Sequence, residues 1–179
     1  VKSPTSSGTA LRFAAFVLAL ATQLVGCGSP AHFRGPGFDE RRGVILEGAG
    51  DQLVLAVTHA VVEDGQKNAF HSDLNLVLKD LTRQDGLVGY SLRIDREGDQ
   101  AWTMSVWRDE AALDAYVDSD AHLAAMRRSR ITLRSVDVKR TPWPRGEMPP
   151  EWDRVLPLLD KSESRARATA RASGPPVRA

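Results

Sequence analysis

Apolar residues recur along this chain at more than one period, and each period predicts an element. Leu53 to Val62 (LVLAVTHAVV) is a nearly unbroken, β-branched run, so a buried strand. Phe70, Leu74, Val77, Leu78 and Leu81 then fall at i, i+4, i+7, i+8 and i+11, one face of a helix, with His71, Asp73, Lys79, Asp80 and Arg83 off that stripe. Val88, Tyr90, Leu92 and Ile94 alternate with Gly89, Ser91 and Arg93, a half-buried strand. A polar hairpin loop, Asp95 to Asp99, joins it to the strand Ala101 to Trp107. Asp109 suits the N-cap of a second helix carrying Leu113, Tyr116 and Val117. Ser119 suits the cap of a further turn, with His122, Leu123 and Met126 inward. Ile131 to Arg140 alternates weakly and carries charges, as an edge strand does. The order β-α-β-β-α-β predicts an α+β, ferredoxin-like sandwich with both helices on one face of the sheet. The other face of so small a sheet needs a cover, which suggests a homodimer.

The ends read differently. Lys2 and Arg12 precede an apolar run, Phe13 to Leu24, of about a dozen residues. That length suits the ~7–15 of a signal peptide and is short of the ~20 that span a bilayer. Leu24-Val25-Gly26-Cys27 follows, and Cys27 is the only cysteine. The pattern resembles the lipobox of bacterial lipoproteins, which implies cleavage before Cys27, acylation of its thiol and a membrane as partner. Gly28, in place of an acid, weakly favours an outer membrane over a periplasm-facing inner membrane. An ordinary secretory signal with an incidental cysteine is the plainer alternative.

This reading divides the chain into a signal segment (1–26), a Gly-, Pro- and Arg-rich flexible tether (27–50), the folded domain (51–142), an extension (143–160) and a basic disordered tail (161–179). Pro142-Trp143-Pro144 is expected to stop the last strand, and the extension has room for a short helix with Trp152, Leu156 and Leu159 on its apolar side. Without residues 1–26 the net charge is about −1, with the tail near +4 and the remainder near −5. The tail could meet anionic headgroups or simply be solvated. With its one thiol acylated the fold cannot use disulfides, so an apolar core must hold it. Nucleic acid is not an expected partner of an exported lipoprotein, and no metal-ligand spacing, P-loop or nucleotide-binding glycine motif is present.

Val106-Trp107-Arg108-Asp109-Glu110-Ala111-Ala112-Leu113-Asp114-Ala115-Tyr116-Val117-Asp118-Ser119-Asp120-Ala121-His122 resembles the antibiotic biosynthesis monooxygenase family of dimeric α/β barrels. The resemblance spans about Leu53 to Arg140. It implies a cavity between sheet and helices, a homodimer, and oxidation of a small apolar aromatic or polyene substrate; it does not fix the chemistry. The haem-degrading branch would need Asn near Thr58 or His59, Trp at Tyr116 and His at Met126, and this chain departs at all three. Ala121 to Arg128 looks instead like the carotenoid-oxidising relatives.

His122 and His59 are the candidate catalytic groups, because imidazole can act as base or ligand near neutral pH. Against that stands a helix-start histidine bonded to backbone for His122, and a satisfied core histidine for His59. Thr58 and His59 face opposite sides of their strand, so only one reaches the cavity. Tyr90, Trp102, Trp107 and Tyr116 are candidate pocket walls, or ordinary core aromatics. Arg93 could pair with an anionic substrate group or a dimer partner. No cofactor is required by the sequence, and haem stays open as a ligand. A non-catalytic hydrophobic-ligand module and a purely structural domain are the alternatives to an enzyme.

Overall fold

A computed structural model of the chain describes residues 31–159; the signal segment, Cys27 and the basic tail fall outside the described residues. In chain order the elements are β1 (Phe38–Asp39), β2 (Gly43–Val44), β3 (Gln52–Val62), α1 (Lys67–Leu81), β4 (Leu87–Ile94), β5 (Gln100–Trp107), α2 (Glu110–Val117), α3 (Asp120–Thr132), β6 (Leu133–Pro144) and α4 (Trp152–Val155), with 3-10 turns at Arg145–Glu147 and Leu156–Leu159. The four long strands form one antiparallel sheet in the order β4-β5-β3-β6. This is the α+β, ferredoxin-like arrangement that the patterning predicts.

Local chemistry sets the joints. Asp95 Oδ1 accepts from the backbone N–H groups of Asp99 and Gln100, closing the β4–β5 hairpin. Asp109 Oδ1 accepts from Ala112 N at 2.8 Å, and Ser119 Oγ from His122 N at 3.2 Å, so each caps one of the two consecutive helices.

The strand β3 divides two cores by parity. Leu53, Leu55 and Val57 point to the outer face, where they bury against Met104, Val106, Val88 and Val44. Val54, Ala60 and Val62 point toward the helices. The outer cover comes from the chain itself: Phe33, Phe38, Leu46 and Ala49 on one side, Trp143, Met148, Trp152, Val155, Leu158 and Leu159 on the other. Trp107, Leu55 and Val155 are wholly buried. Each such side chain contributes about 1.5–3 kcal/mol.

Residues 31–50 are therefore not the featureless tether expected of them. Residues 31–37 run along the edge of β4, with Arg34 N donating to Tyr90 O (3.0 Å), Tyr90 N to Arg34 O (2.7 Å) and Ala31 N to Leu92 O (2.9 Å). Two glycines permit the approach. A Cβ on Gly89 would lie 2.5 Å from the Phe33 ring, and one on Gly35 would lie 2.3 Å from Gly89 Cα. Arg145 clamps the segment from the other side, donating to Ala49 O (2.6 Å) and Val44 O (2.8 Å). Trp152 Nε1 donates to Ser91 Oγ (3.1 Å), whose hydroxyl donates to Ala31 O, so one buried serine ties both terminal segments to β4.

Two further expectations change. The last strand begins at Leu133, with Ile131 and Thr132 still helical, and it continues through Pro142 and Pro144 instead of stopping there. Those prolines are two residues apart, so both missing N–H positions share one side, which an edge strand tolerates. Leu123 is exposed, not inward, and Met126 is exposed while still lining the space between sheet and helices; Ala125 and Thr132 take the buried side of α3.

Candidate functional site

Small residues on a central strand open the candidate site. Ala56, Thr58 and Ala60 alternate along the helix-facing side of β3, and opposite them stand Phe70, Leu74, Val77 and Leu78 of α1. Three short side chains in succession cannot fill the space between sheet and helices, and a cavity of about 330 Å³ results. That lies at the small end of ligand pockets, which run roughly 300–1,000 Å³. Tyr90, Thr103 and Ser105 continue the sheet wall; Tyr116, His122, Ala125 and Met126 close the helix side; Val136, Val138 and Arg140 of β6 form the remaining flank. A second cavity of about 120 Å³ shares Val77, Tyr116 and His122 with the first.

His122 sits at the first turn of α3. Its Nδ1 lies 2.8 Å from the carbonyl oxygen of Val117. A carbonyl only accepts, so Nδ1 carries the proton and Nε2 is the nitrogen that holds the lone pair in the neutral ring. The ring tilts against Tyr116, with centroids 4.9 Å apart. Burial, and after it the charge of Asp80, push the Tyr116 hydroxyl up to about 12. At neutral pH Tyr116 is therefore a phenol, a donor and not a base. Trp107 stacks beneath Tyr116 at 5.1 Å, fully buried, and donates Nε1–H to Ser105 Oγ at 2.9 Å. It supports the wall from behind.

The remaining candidates lie elsewhere. In the pleat Thr58 takes the cavity side, so His59 points to the outer face. There it stacks flat on Trp102, with centroids 4.7 Å apart and planes 1° from parallel, and bonds Gln100 Oε1 at 3.1 Å. The Arg93 guanidinium lies 5.5 Å from the Trp102 ring centre on the far side of that pair. The grouping of His59, Trp102 and Arg93 with the cavity residues is thus corrected: they occupy one register across β4, β5 and β3, on the opposite face. Tyr90, Tyr116 and His122 are brought together. Val136 and Val138 were missed, and of the pair that strand parity left open Thr58 is the one in the cavity, consistent with the small-residue alternation of Ala56, Thr58 and Ala60.

The cavity wall does not fit haem: Arg140 is the one Lys or Arg lining it among the described residues, and Asp114 and Glu110 already hold it, so no cation of the wall is left for a pair of propionates. Among the described residues no group of three or more His, Cys, Asp or Glu could hold a metal ion, and no helix is long and apolar enough to cross a membrane.

Residues 53–128 match the family described as Antibiotic biosynthesis monooxygenase, ABM. Among solved structures, PA3566 from Pseudomonas aeruginosa is 22% identical, with 52% of this chain and 94% of that one covered and a TM-score of 0.47. SO0527 from Shewanella oneidensis is 20% identical, covering 52% and 93%, with a TM-score of 0.49. Rv0793 from Mycobacterium tuberculosis is 20% identical, covering 50% and 92%, with a TM-score of 0.47. No curated protein matches.

Proposed function

We propose that this chain is a lipid-anchored protein of the bacterial cell envelope whose ABM-like domain oxidises a small apolar aromatic or polyene substrate, with His122 as general base. The observation that carries the reading is the pairing of an apolar cavity with an imidazole whose Nδ1–H is committed to Val117 O, leaving Nε2 as the atom that can take a proton. In that role His122 removes a proton from an activated methylene of the substrate, or from a phenolic O–H conjugated with it. The resulting anion passes its electrons to dioxygen; one oxygen atom enters the substrate and the other leaves as water. For an activated methylene the balance is CH2 + O2 → C=O + H2O, which needs no external reductant. Tyr116, held as a phenol, can donate a hydrogen bond to the oxyanion that develops. The attachment is supported by Leu24-Val25-Gly26-Cys27, through acylation of Cys27.

A second reading, storage or transfer of the same ligand class without chemistry, is favoured by the engagement of several polar wall groups. Ser105 accepts from Trp107, Asp73 from Arg128, and Arg140 is held by Asp114. Oxygen uptake with an anthrone-type or polyene substrate separates the two. Uptake that vanishes in His122→Ala supports the enzyme; saturable binding without uptake supports the carrier. Labelling with a fatty-acid precursor, lost in Cys27→Ser, tests the anchor independently.

A further inference from the structure

The solvent side of α3 is neither a normal polar face nor a core face. Leu123, Arg127 and Arg130 follow at i, i+4 and i+7, flanked by Met126 and Ile131. Ile131 is 71% exposed, and Val138 on the adjoining edge strand is 61% exposed. Met126, Val136 and Val138 are exposed and also line the cavity, so its mouth opens on this same surface. Between Asp120 and Arg140 there are six bases against two acids. Arg128, Arg134 and Arg140 are held by Asp73, by Glu63 and Asp64, and by Asp114 and Glu110. Arg127 and Arg130 have no such partner among the described residues.

We propose that this face, α3 with the outer part of β6, docks onto an anionic lipid surface, so that the cavity opens directly to the bilayer. Exposed Leu, Met and Ile interleaved with unpaired arginines match a boundary where acyl chains and phosphate headgroups are met together. A second copy of the chain fits less well, because a two-fold axis through this face would bring together two copies of a patch that carries Arg127 and Arg130 with no acid partner among the described residues. The consequence is functional: an apolar ligand passes between membrane and cavity without crossing water. Docking needs no acylation of Cys27, and the passage of an apolar ligand rests on the proposed function.

The test uses the full chain with Cys27→Ser, so that acylation plays no part in any arm. Ile131→Cys is labelled with an environment-sensitive fluorophore, and Ile45→Cys, on the opposite side of the sheet, serves as control. Vesicles of phosphatidylcholine with or without phosphatidylglycerol are added. A blue shift at 131 and not at 45, seen only with phosphatidylglycerol, is expected. Arg127→Gln with Arg130→Gln should weaken that partitioning about 30-fold, roughly fivefold per arginine. A chain that binds vesicles with no shift at 131, equal shifts at both sites, or undiminished partitioning of the double variant would overturn the proposal. A shift at 131 that follows protein concentration without vesicles would overturn it in favour of a second copy.

Discussion

The Nδ1 of His122 lies 2.8 Å from the carbonyl oxygen of Val117, five residues earlier and across the break between α2 and α3. The contact makes the break part of the site. Ser119 caps α3 through the His122 N–H, and the side chain of the same residue returns to satisfy a carbonyl at the end of α2. His122→Ala should cost about 1 kcal/mol of stability, the usual value of one such bond. On the proposed oxidation it should lower turnover by at least ~100-fold, the smaller end of general-base effects. His59→Ala should leave turnover unchanged while altering Trp102 fluorescence, since the two rings stack on the opposite face. Equal losses from both variants would count against the assignment.

The fate of the two histidines shows what the sequence could and could not supply. The periods of Phe70 to Leu81 and of Val88 to Ile94 fixed elements within a few residues, because one-sided burial leaves a pattern. Parity along β3 was equally legible: Thr58 and His59 had to face opposite ways. Which of them met the helices depended on where helices and terminal segments pack, and that information is spread over distant residues. The cover of the outer face was illegible for the same reason. Gly35 and Gly89 look like loop and strand-breaking residues until Phe33 is seen against them. Leu123 keeps helical spacing yet is exposed, Met126 lines the cavity at its open side, and short Ala125 and Thr132 take the buried side of α3.

Tyr116 carries a pH signature. Its hydroxyl is raised to about 12 by burial and then by Asp80. In the unfolded chain it ionises near 10, whereas the folded chain keeps the proton until the higher value. The stabilisation is therefore complete below about pH 10 and is lost as pH rises toward 12, at up to ~1.4 kcal/mol per unit. Urea unfolding followed from pH 9 to 11 should show this slope in the wild type and its reduction in Tyr116→Phe. An identical slope in both chains would place the alkaline sensitivity elsewhere.

Asp109 works in the opposite direction. The Ala112 backbone N–H, and then the Arg108 side chain, hold its carboxyl below the ordinary range. Its contribution is present above the unfolded value and is lost as pH falls through the folded one. Asp109→Ala should cost about 1 kcal/mol at neutral pH through loss of the cap. Asp109→Asn should keep most of the cap and flatten the acid side of the stability profile, as read by thermal unfolding between pH 3 and 6. A steep acid slope surviving in Asp109→Asn would dismiss the cap as its source.

Trp143 decides how the outer sheet face is used. It is buried against Leu53 and Leu55, donates Nε1–H to Glu147 O at 3.2 Å, and carries the Arg154 guanidinium 5.0 Å from its ring centre. With Val155 and Trp152 it supplies from within the chain the cover that the sequence reading assigned to a second subunit. We therefore propose that any homodimer forms through surfaces other than this face. Trp143→Ala should cost roughly 3–5 kcal/mol, the range for removing a large buried aromatic. Because the contact is internal, the loss in urea midpoint should be the same at low and high protein concentration. A loss that grows on dilution would move Trp143 into a subunit interface, since only an intermolecular contact couples stability to concentration.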